Sequence, residues 1–174
     1  IYDDEGTQLG AGQIGTVYMQ LMADFEYKGD SAKTKANRIE NFFTVGDLGE
    51  LDEDGYLFLR DRKADMIISG GANIYPAEIE GELINHPAVQ DVAVFGIPNA
   101  DWGEEIKAVV ELHEGFEPGD ELVADILGWA APRMAKFKLP KSVDFVETLP
   151  REPNGKLIKR KLRDPYWEGI DRQI

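Results

Sequence analysis

The chain has 174 residues, 43% of them apolar and 30% charged, with 33 acids against 19 bases and a net charge of −14. That composition suits one ordinary domain, or a small domain joined to part of another, and excludes wholesale disorder. Without cysteine there is no disulfide, thiolate metal site or cysteine nucleophile, and the acidity argues against nucleic acid as a partner. Two histidines, His86 and His113, leave little for a histidine metal centre or a Ser-His triad. No apolar run approaches the ~20 residues of a membrane span, and the opening Ile1-Tyr2-Asp3-Asp4-Glu5 is no signal peptide. The chain reads as a cytoplasmic, soluble piece of something longer.

Up to about residue 65, short strand-like runs alternate with acidic, glycine-containing turns. Gly10-Ala11-Gly12-Gln13-Ile14-Gly15 spells G-x-G-x-x-G, but acids precede it and a strand follows. A dinucleotide fingerprint needs a strand before and a helix after, so this segment reads as a turn. Thr16 to Met22 is β-branched and aromatic and predicts a strand. Ser31 to Asn41 predicts a short helix followed by a loop. Glu50 to Gly55, with Asp61 at the twelfth position, partly mimics a calcium-binding loop. That loop joins two helices, whereas Tyr56-Leu57-Phe58-Leu59 is strand-like, so Asp52 to Gly55 predicts a hairpin turn.

Beyond residue 65, helices and strands alternate. Pro76 to Ile84 predicts a helix with Pro in its first turn and Ile79 and Leu83 on one face. Val89 to Ile97 predicts a strand with Val92 and Val94 on one face, and Lys107 to Leu112 a second. Asp120 to Met134 predicts a helix with an apolar stripe of Leu122, Val123, Ile126 and Leu127. Ser142 to Val146 predicts the last strand. The class is α+β, with helices covering one face of a short sheet. Residues 1–62 are too few to close a β-domain and read as the end of a larger one.

Three segments carry the chemistry. Phe43-Thr44-Val45-Gly46-Asp47-Leu48-Gly49 offers a carboxylate after a glycine at a strand end. Asp61-Arg62-Lys63-Ala64-Asp65 leads to Ser69-Gly70-Gly71-Ala72, where a ligand can approach the backbone closely, and then to the helix start at Pro76. Pro150-Arg151-Glu152-Pro153-Asn154-Gly155-Lys156 puts a lysine on an Asn-Gly turn, within a stretch from Arg151 to Arg163 holding six bases and one acid. Each alone reads more readily as an ordinary turn, and the basic stretch as a whole equally as a solvated face. The third is not a Walker A loop, because it begins with Pro and Leu157 follows the lysine.

Together and in this order, with Gly12-Gln13-Ile14-Gly15, Asp101-Trp102-Gly103-Glu104 and Phe137-Lys138-Leu139-Pro140, these segments resemble the C-terminal part of the adenylate-forming acyl-CoA synthetases. That family includes fatty-acyl-CoA synthetases, aryl-CoA ligases, luciferases and nonribosomal adenylation domains. The resemblance implies a two-step ligase in which a carboxylic acid attacks the α-phosphorus of ATP, after which the small domain rotates and CoA displaces AMP. It implies that residues 1–62 end the large AMP-binding domain, that 61–65 form the hinge, and that 66–174 are the small mobile domain. Asp47 would bind the ribose hydroxyls, with Arg62 assisting and Lys156 reaching the carboxylate and α-phosphate oxygens. Gly70, Gly71 and Trp102 would line the CoA passage, with Lys138 near it. Asp61, Lys63 and Ala64 would belong to the hinge.

The resemblance has departures. The family's usual Thr-Gly-Asp is here Val45-Gly46-Asp47, and Ala64 stands where Asp or Lys is common. The family's phosphate loop and Tyr-Thr-Glu motif would lie upstream of this stretch, so the chain alone is expected to be inactive. Mg2+ is expected with ATP, its ligands upstream and no metal site in this chain. Delivery to a carrier-protein thiol and a non-catalytic binding module are the alternatives. Pro165-Tyr166-Trp167 hints at a fatty or other hydrophobic acid, and the oligomeric state is open.

Overall fold

A computed structural model describes residues 1–20 and 29–170. The chain divides into two compact units, Ile1–Ala64 and Asp65–Ile174. No helix among the described residues is long and apolar enough to cross a membrane.

The first unit holds β1 (Gly15–Thr16), β2 (Met19–Gln20), α1 (Ser31–Ala36), β3 (Arg38–Ile39), β4 (Phe42–Phe43), β5 (Asp47–Leu51) and β6 (Leu57–Arg62). They form two small antiparallel sheets, ordered β1-β5-β6 and β2-β4-β3. The single strand expected over Thr16 to Met22 is instead two. Val17 and Tyr18 carry the chain from one sheet to the other, so β1 pairs with β5 and β2 with β4, and residues 21 and 22 lie outside the described residues. The loop expected after α1 contains the β3–β4 hairpin, because Arg38 and Ile39 find Phe43 and Phe42 as partners.

The acidic turn closes itself. Asp52 Oδ1 accepts the N–H groups of Asp54 (3.0 Å) and Tyr56 (2.8 Å), so this carboxylate is a turn residue and strands flank it. The Gly-rich segment is also a turn, in which Gly10 N–H donates to Gln13 Oε1 at 2.9 Å and Gly12 N–H to the Leu51 carbonyl at 2.8 Å. Val17 and Leu48 are buried here, while Tyr56, Leu57, Phe58 and Leu59 are exposed.

The second unit holds β7 (Ile67–Ser69), β8 (Ala72–Ile74), α2 (Pro76–Leu83), β9 (Val89–Asn99), β10 (Gly103–Leu112), α3 (Asp120–Ala130), β11 (Ser142–Val146) and α4 (Lys159–Arg163). Strand β10 is central. It pairs along its length with antiparallel β9 on one edge, and its other edge takes parallel β11 and, at Gly103, the end of β7. This is an α+β arrangement. Helix α2 begins on Pro76, whose missing N–H costs nothing in the first turn, and it buries Ile79 and Leu83 completely.

Helix α3 stops four residues short of the expected Met134. Pro132 has no N–H to donate to the preceding turn, and its buried stripe is Ile126 and Ala130 with Leu122 partly buried, a spacing of four. His86 joins the two helices as a satisfied core residue. Its Nδ1 accepts the Ala88 N–H (3.2 Å), its Nε2 faces Asp125 Oδ2 (3.3 Å), and its ring stands edge-on to Trp129 at 5.5 Å.

Helices cover one face of this sheet, as expected, and the opposite face is covered as well. Helices α2 and α3 cover Val92, Val94, Ile106, Ala108 and Val110. On the opposite face Ala93, Phe95 and Val109 pack with Leu149, Leu157 and Leu162, which belong to the chain after β11. A strand buried on both sides needs a continuous apolar run, and Val92-Ala93-Val94-Phe95 is one.

Candidate functional site

In the first unit, Asp47 opens β5 and Arg62 closes β6, directly opposite in register. Arg62 Nε lies 2.8 Å from Asp47 Oδ1, with the two side chains 51% and 26% exposed. Gly46, at φ +85°, makes the corner that presents the carboxylate, and its N–H donates to Thr44 Oγ at 3.0 Å. The segment expected to be a hinge begins inside β6, where Asp61 Oδ1 accepts the Arg62 N–H at 2.7 Å. Lys63 donates its N–H to the Gly46 carbonyl (2.8 Å) and pairs with Asp4 through its ammonium. Lys63, Ala64 and Asp65 form one 3₁₀ turn, and the boundary between the units falls between Ala64 and Asp65.

In the second unit, Gly70 and Gly71 are the two central residues of the β7–β8 hairpin, with φ of +58° and +79°, closed by the Ser69–Ala72 pair. Positive φ at both positions is the type I′ hairpin turn, which glycine adopts without penalty. What approaches Gly70 is this chain's own Trp102. A Cβ on Gly70 would stand 2.6 Å from the indole Cε3, whereas one on Gly71 would meet nothing within 4 Å. Trp102 also accepts the Gly70 N–H at its carbonyl (2.8 Å) and remains 62% exposed.

Sequence reasoning missed the residue that shapes this loop. Asn99 Oδ1 accepts the N–H groups of Asp101 and Trp102, each at 3.0 Å, and its amide nitrogen donates to Glu105 Oε2 at 2.6 Å. An Asn immediately before a short polar loop was the available signal. Beside Trp102 lies an open cavity of about 530 Å3, lined by Ile68, Pro98, Glu104, Trp167 and Ile170 among others.

Lys138 sits in the 3₁₀ turn Lys136–Lys138 and donates to both oxygens of Glu78, at 2.6 and 2.7 Å. Any phosphate at Lys138 competes with that carboxylate. Lys156 is exposed on a turn closed by the Arg151–Leu157 bridge. There Glu152 N–H donates to the Lys156 carbonyl and Gly155 N–H to the Glu152 carbonyl, both at 2.8 Å, with Gly155 at φ +88°. Half of the basic cluster is committed to acids: Arg151 to Asp91, Lys159 to Glu80 at 2.8 Å, and Arg163 to Asp164 at 3.3 Å and Asp65 at 3.6 Å. Among the described residues no group of three His, Asp or Glu side chains is placed to hold a metal ion.

The structure therefore brings Asp47 to Arg62, and Gly70 to Trp102. It holds Lys138 on Glu78 and places Lys156 on a separate turn. Residues 78–156 match the family of AMP-binding enzyme C-terminal domains. That match lies wholly within the second unit. Over its whole length the chain is 39% identical to the fatty acid–[acyl-carrier-protein] ligase ScoC of Streptomyces coeruleorubidus, covering 33% of that protein. It is 43% identical over 84% of its length to the long-chain-fatty-acid–CoA ligase FadD13 of Mycobacterium tuberculosis, covering 28% of that one. Among solved structures, ATP-bound MatB from Rhodopseudomonas palustris matches 98% of the chain with a TM-score of 0.85 and 38% identity, and the match covers 34% of MatB. The chain spans about a third of the length of these relatives.

Proposed function

We propose that this AMP-binding C-terminal portion belongs to an ATP-dependent acid–thiol ligase acting on a fatty or other hydrophobic acid. The observation that carries the reading is the likeness to fatty-acid ligases at 39% identity over the whole chain and 43% over most of it. In the first half-reaction a carboxylate oxygen attacks the α-phosphorus of ATP, the bond to pyrophosphate breaks, and an acyl-adenylate forms. In the second, the acceptor thiol gives up its proton, its sulfur bonds the acyl carbonyl carbon, and AMP leaves.

The residues suit those steps. Asp47 accepts hydrogen bonds from the ribose hydroxyls, and Arg62 holds its carboxylate in place across the strand pair. Lys156 brings a compact charge to phosphoryl and carboxylate oxygens as they gain charge in the transition state. Trp102, Gly70 and Gly71 border the acceptor's path, and Lys138 meets a CoA phosphate once it exchanges Glu78 for it. In this reading residues 1–62 complete the large AMP-binding domain, 61–65 are the hinge, and 66–174 are the mobile small domain. Mg2+ accompanies ATP, held by groups other than those described above.

A second reading differs only in the acceptor. A carrier-protein thiol is favoured by the likeness to an acyl-carrier-protein ligase along the entire chain. The deciding experiment uses the complete ligase with ATP, Mg2+ and a panel of acids, reading pyrophosphate release and then offering CoA or a carrier protein. Pyrophosphate release with hydrophobic acids is expected. Absence of release with every acid overturns the reading, and the preferred thiol separates its two forms.

A further inference from the structure

We propose that Arg151 is a positioning residue that orients Lys156 by clamping the peptide bond that joins it to Gly155. The proposal rests on the reading of Lys156 given above and extends it to a residue with no assigned role. Arg151 Nη1 donates to the Gly155 carbonyl at 2.6 Å, while Nη2 of the same guanidinium pairs with Asp91 Oδ2. On the other side of that peptide, the Lys156 N–H donates to Asn154 Oδ1 at 3.0 Å. Both polar atoms of one peptide plane are thus held by side chains. Gly155 lies at φ +88°, and with no side chain of its own it depends on such contacts and on the turn's backbone hydrogen bonds for its orientation.

The anchor behind Arg151 is rigid. Asp91 belongs to β9, and its second oxygen Oδ1 accepts the Val92 N–H at 2.9 Å. Strand β9 is buried on both faces and paired along its length with β10. The contacts run from this core strand through Asp91 and the guanidinium fork to the Gly155 carbonyl, and so to the bond from which the Lys156 side chain departs. The planar fork fixes one donor on each acceptor, whereas an ammonium on a flexible stem holds two separate acceptors less rigidly. Arg151 is 42% exposed and Asp91 25%. A pair this open adds little to global stability, so its effect belongs to the turn rather than to the fold.

Two measurements test this, one independent of catalysis. In the complete ligase, amide exchange is compared for wild type, Arg151→Ala and Arg151→Lys. Both variants are expected to loosen the amides of Gly155 and Lys156 while β9, β10 and the melting temperature stay unchanged. A turn as ordered as wild type in Arg151→Ala, a Lys variant that behaves as wild type, or a general loss of protection overturns the proposal.

In the complete ligase, Arg151→Ala is expected to lower kcat for pyrophosphate release roughly ten- to a hundredfold, the cost of a misplaced catalytic group, with conversion of supplied acyl-adenylate unaffected. The same change made in a Lys156→Ala background is expected to cost nothing further. Equal losses in both backgrounds overturn the positioning role. If Lys156→Ala itself leaves adenylation intact, the function proposed for the lysine fails, while the exchange measurement still decides whether Arg151 orders the turn.

Discussion

Arg62 Nε and Asp47 Oδ1, 2.8 Å apart, join the last residue of β6 to the first residue of β5. The pair sits at a strand end and is partly open to solvent, so it contributes only ~0–1 kcal/mol to stability. Under the proposed function, its use is to keep a carboxylate fixed as an acceptor. Asp47→Asn in the complete ligase is expected to raise KM for ATP at least tenfold, the worth of about one charge-assisted hydrogen bond, with little change in melting temperature. An unchanged KM for ATP removes Asp47 from the nucleotide site.

Under the proposed function, Lys156 is expected to separate the half-reactions. Lys156→Ala is expected to slow adenylate formation by ~10²–10³, about 3–4 kcal/mol, the usual loss of one donor aimed at developing charge. Thioester formation from supplied acyl-adenylate should continue near the wild-type rate. Acetylation at Lys156 also removes the charge and should reproduce the first loss. Equal loss in both steps would mean that Lys156 is not specific to adenylation.

The two glycines of the β7–β8 turn are expected to fail differently. Gly71→Ala meets no neighbour and bears only the strain of positive φ, about 1–2 kcal/mol for an L-residue. Gly70→Ala adds a collision with the Trp102 ring and should displace it. The loss of thioester formation should therefore be larger for Gly70→Ala. Thermal unfolding together with thioester assays of both variants checks this, and equal behaviour would mean that Trp102 has no part in the acceptor path.

The far face of the sheet in the second unit is closed by residues after β11, and Leu149 there is 1% exposed. Leu149→Ala is expected to destabilise by about 2–5 kcal/mol, as for other buried leucines, read from urea unfolding. A loss below ~1 kcal/mol would mean that this cover is loosely packed.

Limited trypsin digestion tests the boundary between the units. Arg60 and Arg62 lie within β6, whereas Lys63 begins the 3₁₀ turn that leads out of the first unit. The first cut that yields two stable fragments is expected after Lys63, since boundaries between domains are the usual sites of such cuts. Stable fragments meeting elsewhere would count against 61–65 as a hinge.

Much of this protein was legible in its sequence. Pro76 with Ile79 and Leu83 marked α2, Ser142 to Val146 marked β11, and the order of the Val45-Gly46-Asp47, Gly70-Gly71 and Asn154-Gly155-Lys156 turns carried the family resemblance, because these depend on local geometry and on the identity of near neighbours. Only the tertiary structure decided what each of them faces. It placed Trp102 on Gly70, Glu78 on Lys138 across sixty positions, Asp91 on Arg151, and Leu149 under Phe95. Periodicity reports which residues seek burial but not which partner supplies it. Both faces of β9 are apolar, and only the return of the chain after β11 determines that the second face is covered.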